Sequence, residues 1–222
     1  MTLKAALLAI FVALGACTPL RAERPLFSPA DQIGPPPLVE GVWIAISEDC
    51  PERYARRRGR APAKCRPAEI TRMEDGAWLY RFQDHVPLGD ENSEAEMPRS
   101  WRLVIAPLTE RHMPEDVYAP LYLAEYAPLD AGVEAADPHY ALIAPVEVLP
   151  AEEIYVRREI NCASVLRDGP IEGVRETRDE RGDPTDCVAE TQAAVREAVR
   201  RDLIENLHNM LGGEGRLMRV RP

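Results

Sequence analysis

Any chemistry in this chain would rest on a few histidines, serines and carboxylates, and their spacing mostly excludes known sites. The four histidines, His85, His112, His139 and His208, form neither a His-Glu-x-x-His nor a His-x-His pattern, so the spacing of a zinc ligand set is missing. His85 follows Asp84, and His139 follows Asp137-Pro138; both read as loop positions. None of the five serines, Ser28, Ser47, Ser93, Ser100 and Ser164, sits in a Gly-x-Ser-x-Gly elbow or a Ser-x-x-Lys pair. Ser164, two residues after Cys162, fits a disulfide-tethered turn better than a nucleophile. Acids cluster at Glu91, Glu94 and Glu96, at Glu152 and Glu153, and at Asp179, Glu180 and Asp183. Cleaving a glycoside needs two carboxyls facing across a cleft, and spacing along the chain does not establish such a pair. Gly212-Gly213 follows a helical stretch instead of opening one, so no phosphate loop is present. The residues alone therefore assign no catalytic side chain, no metal ligand and no cofactor.

One basic stretch stands out. Arg53, Arg56, Arg57, Arg58, Arg60 and Lys64 crowd a single loop, a composition suited to lipid phosphates, lipopolysaccharide or an acidic partner surface. The competing reading is a solvated loop that offsets nearby acids. Elsewhere the chain is acidic, with net charge −10, which disfavours nucleic acid as a partner because phosphate neutralisation needs clustered cations. It also gives no general attraction to an anionic membrane. Lys4 and Lys64 are the only lysines among 27 basic residues, a bias read as genome composition rather than recognition.

The N-terminus carries the most specific signal. Lys4 precedes the apolar run Ala5–Ala13, which has the length of a signal-peptide core and is too short to span a bilayer. Leu14-Gly15-Ala16-Cys17 follows. A branched apolar residue, two small residues and a cysteine resemble the lipobox of bacterial lipoprotein precursors. That resemblance implies cleavage before Cys17, a diacylglyceryl group on its thiol, and a lipid anchor in the cell envelope. Thr18 after the cysteine, where some lipoproteins carry Asp, resembles outer-membrane sorting. Lipidation leaves Cys50, Cys65, Cys162 and Cys187, an even set that in an exported chain reads as two disulfides. Local pairing, Cys50–Cys65 and Cys162–Cys187, is preferred because each pair flanks a loop-like stretch. A loop of about fifteen residues closed this way contributes about 3 kcal/mol in the chain-entropy model.

These features divide the chain into a signal peptide (1–16), an acylated cysteine with a proline-rich tether (17–40), and one domain (41–222). Six prolines and no apolar period mark 18–40 as extended chain. Strands are expected at Gly41–Ile46, Ala68–Met73, Trp78–Phe82, Trp101–Ile105, Val117–Tyr126, Tyr140–Leu149 and Ile154–Ile160. Asp75-Gly76 signals a hairpin. Ala-Pro pairs at 106–107, 119–120, 127–128 and 144–145 mark strand ends, bulges or edge strands. Asp183-Pro184-Thr185-Asp186 resembles a helix start, with Val188, Val195, Val199, Leu203, Leu207 and Leu211 on one face and Gly212-Gly213 as its stop. The expected fold is α+β: an antiparallel, strand-rich sheet with Trp43, Trp78 and Trp101 in its core, one face solvated and the other covered by a long C-terminal helix, with two disulfides.

A second set of residues resembles uncharacterised lipoproteins of alphaproteobacteria: Leu26-Phe27-Ser28, Gly41-Val42-Trp43, Cys162, Gly169-Pro170-Ile171-Glu172-Gly173 and Cys187. The resemblance implies an envelope location and no defined activity, and these positions read as scaffold. The expected function is a membrane-anchored binding or structural module facing the periplasm, with an envelope protein or an anionic envelope component as partner. The alternative is a periplasmic hydrolase or glycan-modifying enzyme built on a carboxylate pair.

Overall fold

Alternating apolar and polar positions bounded by proline and glycine form the strands of the computed structural model. It describes residues 18–34, 38–46, 50, 65, 67–82, 100–108, 120–129, 137–145, 154–180, 182, 184–211 and 216–221. The N-terminal apolar run, Cys17 and residues 51–64 lie outside these residues. Strands β1 (Gly41–Ala45), β2 (Pro67–Arg72), β3 (Trp78–Phe82), β4 (Ser100–Pro107), β5 (Tyr122–Pro128), β6 (His139–Pro145) and β7 (Ile154–Glu159) form an antiparallel meander. A final strand, β10 (Arg216–Arg221), inserts between β7 and β1 and closes the sheet into an eight-stranded barrel. Ala45 lies opposite Leu217, and Val42 lies opposite both Arg221 and Glu69. The sheet is strand-rich and antiparallel as expected, but it is closed rather than open. Pro107, Pro128 and Pro145 each end a strand, where a missing N–H costs the ladder little. The hairpin at Asp75-Gly76 forms: the Gly76 amide donates to the Met73 carbonyl (3.0 Å), the Asp75 carboxylate accepts from the Ala77 amide (2.9 Å), and Gly76 has φ +88°.

Closure creates two cores. Inside the barrel, Trp43, Ile70, Trp78, Trp101, Leu103, Ile105, Tyr126, Ile143 and Leu217 pack together. Outside it, Val104, Leu123, Tyr140 and Leu142 point the other way and belong to a second cluster. Strands β4, β5 and β6 are therefore buried on both faces, while β2 keeps a plain alternation with Glu69 exposed.

The outer core is covered by the chain between β7 and β10. This stretch forms a one-turn helix α1 (Cys162–Leu166), a hairpin of β8 (Val174–Arg178) and β9 (Pro184–Ala189), and helix α2 (Gln192–Leu211). Residues 184–189, expected to open a long helix, are strand instead. They pair along β8, and the amide of Glu190 then donates to the Gly173 carbonyl (2.8 Å). The helix starts only after Thr191, whose hydroxyl accepts from the Ala194 amide (3.1 Å). Val195, Val199 and Leu203 face the barrel with Ala194 and Ala198, all fully or nearly fully buried. Gly173 has φ +77°, a conformation strained for any side chain, and packs closely against Thr191 and Ala194, where an added Cβ would sit 3.2–3.3 Å from them. Arg201 donates to the carbonyls of Gly169 (2.6 Å) and Pro170 (3.2 Å). The Gly-Pro-Ile-x-Gly stretch is thus the seat of α2. Asn161 caps α1, and the Ser164 hydroxyl donates to the fully buried Asp202 (2.6 Å), which also accepts from Arg158 (3.2 Å).

Two disulfides join Cys50 to Cys65 and Cys162 to Cys187. The second links the first residue of α1 to β9.

The proline-rich stretch behaves differently from a tether. Leu20 and Ala22 are fully buried and Phe27 nearly so. The backbone of 18–22 is laced into the fold through Cys162 N to Thr18 O (2.9 Å), Leu20 N to Ile160 O (2.8 Å), Ala189 N to Arg21 O (2.8 Å) and Ala22 N to Pro138 O (2.9 Å). Further on, Glu125 on the outer face of β5 accepts from the amides of Leu26 (2.7 Å) and Phe27 (3.2 Å) and from the Tyr140 hydroxyl (3.0 Å). Burial raises the Glu125 pKa, against the lowering effect of those hydrogen bonds. Gln192 and Arg196 of α2 close over this strap, donating to the carbonyls of Leu26 (2.7 Å) and Pro107 (3.2 Å). Proline here prevents regular pairing without preventing burial. Phe27→Ala is accordingly expected to cost about 3–5 kcal/mol in a denaturant titration, the cost of a core aromatic. An unchanged midpoint would return the segment to the status of a loose tether.

Candidate functional site

The strand directions define one end of the barrel. Ala45, Pro67, Phe82, Ser100, Pro128, His139 and Glu159 all lie there. A cavity of about 620 Å³ opens at this end, lined by Tyr80, Phe82, Trp101, Tyr126, His139, Arg157 and Glu159 from the barrel. Pro19, Arg21 and Asp137 complete its rim. Its volume falls within the usual range of about 300–1,000 Å³ for small-molecule sites. An eight-stranded barrel is just wide enough for side chains to fill it or for one small ligand to enter.

Inward-pointing aromatic residues build the walls. The rings of Tyr126 and His139 stack at 5.1 Å, nearly parallel, and Trp101 meets the His139 ring edge-on at 5.0 Å. Tyr80 stands edge-to-face with Phe82 at 5.2 Å and with Tyr126 at 6.3 Å. Arg157 lies over the Tyr126 ring, 4.7 Å from its centre, and donates to the Tyr126 hydroxyl (3.1 Å) and to Glu159 (2.9 Å). At the rim, Arg21 is paired with Asp137 and donates to Asp186 (2.9 Å).

Electrostatics follow from this enclosure. Burial, assisted by the Arg157 charge, lowers the His139 pKa to about 4, with Glu159 opposing; the imidazole is neutral near pH 7. Burial likewise raises the Tyr80 and Tyr126 phenols, which stay protonated. Burial works against the Arg157 charge, but Tyr126, Glu159 and Tyr80 outweigh it and the pKa is raised. The hydrogen bond to Asp186 raises Arg21 and lowers Asp186 in return. Among the described residues, neither ring nitrogen of His139 nor the Tyr80 hydroxyl makes a hydrogen bond. Both side chains are half-buried, so the cavity offers solvent-reachable donors and acceptors between aromatic faces, an arrangement suited to a ligand with a planar or apolar part and a few polar atoms.

The residues singled out from sequence distribute unevenly around this site. Cys17 and the five arginines Arg53, Arg56, Arg57, Arg58 and Arg60 lie outside the described residues, as do His85, His112, Glu91, Glu94, Glu96, Glu152 and Glu153. Cys50 and Cys65 are buried and joined. His139, read as an exposed loop residue, instead opens β6 inside the cavity. The wall residues Tyr80, Tyr126, Arg157 and Glu159 were not singled out. One signal was available: Arg157 and Glu159 share the inward phase of β7, where charge is anomalous. The cavity carboxylates Asp137 and Glu159 are each paired with arginine, and the carboxylate whose pKa burial raises, Glu125, faces the opposite side of the sheet. Among the described residues, no three His, Cys, Asp or Glu side chains are placed to hold a metal ion.

Comparisons with protein families, curated proteins and solved structures find no match to this chain.

The lowered His139 pKa gives a stability test. The unfolded imidazole titrates near 6.5, so between about 6.5 and 4 the unfolded state binds more protons than the folded one. Stability is then fully present above pH 6.5 and falls as pH drops toward 4, by on the order of 2–3 kcal/mol. Denaturant midpoints measured against pH should lose this part of their slope in His139→Phe; identical slopes would mean that the ring is solvated.

Proposed function

We propose that this chain is an envelope lipoprotein, acylated on Cys17, whose barrel binds a small amphipathic molecule in its open end. The binding reading is carried by one observation: an aromatic-walled cavity of about 620 Å³ containing polar groups that make no hydrogen bond among the described residues. Fully structural barrels fill this space with side chains. The anchored location is supported by the lipobox-like Leu14-Gly15-Ala16-Cys17. With that anchor the site faces the periplasm, on the outer membrane in this proposal because Thr18 resembles outer-membrane sorting. Binding is favoured over catalysis because the cavity acids Asp137 and Glu159 are paired with Arg21 and Arg157, and among the described residues no serine, threonine or cysteine lines the cavity.

Two measurements test this reading. Radiolabelled palmitate should enter the protein in cells and be lost in Cys17→Ser. The Cys17→Ser protein, exported and purified, should enhance the fluorescence of 1-anilinonaphthalene-8-sulfonate. Phe82→Ala, which strips one cavity wall, should weaken that binding about tenfold, equivalent to about 1.4 kcal/mol. Unlabelled wild type would remove the anchor from the proposal, and a probe indifferent to Phe82 would remove the cavity.

A further inference from the structure

The anchor and the cavity are separated by almost no chain. Residues 18–22 carry the backbone hydrogen bonds described above, and Leu20 and Ala22 are fully buried. The Thr18 hydroxyl adds a bond to the Thr185 carbonyl (3.1 Å). No slack therefore remains from Thr18 onward. Pro19 and Arg21 in this same segment line the cavity rim. The Cα of Cys17 lies one peptide unit, about 3.8 Å, from that of Thr18. A diacylglyceryl group on Cys17 thus begins two residues from the cavity wall.

We infer that the open end of the barrel lies against the bilayer and that its ligand is drawn from the membrane. The inference rests on the lipoprotein reading above. The lipid tails of Cys17 must enter the bilayer, and a pinned segment transmits that position to the rim. The chemistry around the opening agrees. Arg21, its side chain 33 % exposed, sits on the rim with Pro19, and the half-buried Tyr80 stands behind it, side chains of the kind that settle where an apolar phase meets water. Trp101 and Tyr126 are buried in the wall. The charges lining the cavity cancel, Arg21 and Arg157 against Asp137 and Glu159. Attraction to the surface therefore depends on the anchor and the aromatic rim rather than on net charge. The ligand class follows: a bilayer amphiphile whose ring or chain enters the aromatic throat and whose head, neutral or zwitterionic, stays on the paired charges of the rim.

Tryptophan quenching tests the orientation. Trp101 stands at the cavity end, whereas Trp78 begins β3 at the opposite end and Trp43 donates its indole N–H to Val39 below β1 (3.1 Å). The acylated protein, its lipid confirmed by mass spectrometry and its cavity by the sulfonate probe, is placed in phosphatidylcholine vesicles carrying a spin label near the headgroup. Emission should be quenched, Trp101→Phe should remove most of the quenching, and salt should leave it unchanged. A second variant with a long Gly-Ser linker inserted between Cys17 and Thr18 keeps every core residue and should also lose the quenching. Monomeric lysophosphatidylcholine should displace the sulfonate probe more effectively than lysophosphatidylglycerol. An acylated, probe-binding protein whose Trp101 escapes quenching, or whose quenching survives the linker, overturns the orientation alone. Preferential displacement by the anionic lysolipid overturns the headgroup assignment. A protein that carries no acyl group overturns both the orientation and the reading beneath it.

Discussion

Closure of the barrel by its last strand is the constraint from which the rest follows. β10 has to arrive between β7 and β1, yet the chain leaves β7 at Glu159 and returns at Arg216. Everything between must lie outside the barrel and bury its apolar side against it. The sheet therefore has two inner faces to satisfy, one around the barrel axis and one beneath α2, and β4 to β6 are apolar on both. Closure also removes the free edges that an open sheet would present. It fixes which inward side chains surround the open end, so the cavity is a by-product of the pairing rather than of any local motif.

Much of the strand content was legible because its signals are local. The Asp-Gly hairpin, the Ala-Pro strand ends and the β-branched runs each depend on a few neighbouring residues. Closure was not legible, since the alternation of β1 reads the same in an open sheet and in a barrel. It is decided by a partner strand more than 170 residues away. The helix start failed for a different reason. Asp183-Pro184 is a sound capping pattern, but Thr185 to Ala189 gains a ladder with β8 and the disulfide of Cys187. Tertiary pairing outweighed a local preference worth about 1 kcal/mol. The proline-rich segment misled because composition reports the absence of regular structure, and Leu20 and Phe27 are buried without any. The cavity was only faintly visible, through Arg157 and Glu159 on one strand phase.

The two places where charge is buried serve opposite ends. On the outer face, the Glu125 carboxylate loses hydration but accepts from two strap amides and a phenol. Its acceptor capacity is committed, and removing the strap would strand it. Inside the cavity, His139 is half-buried between aromatic rings and makes no hydrogen bond to a described residue, so its polar atoms stay open to the cavity. Both groups lose hydration, and the difference lies in whether the fold already supplies the partner. That contrast is why Glu125 reads as scaffold and the aromatic cavity as a site.

The packed strap changes what an anchor on Cys17 would accomplish. A flexible tether of this length would let the domain roam tens of ångströms from the surface, and the cavity would meet ligands arriving through water. With Thr18 already bonded into the fold, the domain has little freedom of height or tilt. Confinement then replaces affinity, because a site held at the bilayer meets membrane amphiphiles at high effective concentration. A shallow cavity with a few polar atoms would suffice in that position, whereas a freely diffusing carrier would need a deeper enclosure to hold the same ligand. The open aromatic mouth and the short connection to Cys17 are therefore consistent parts of one arrangement, and each explains why the other need not be more elaborate.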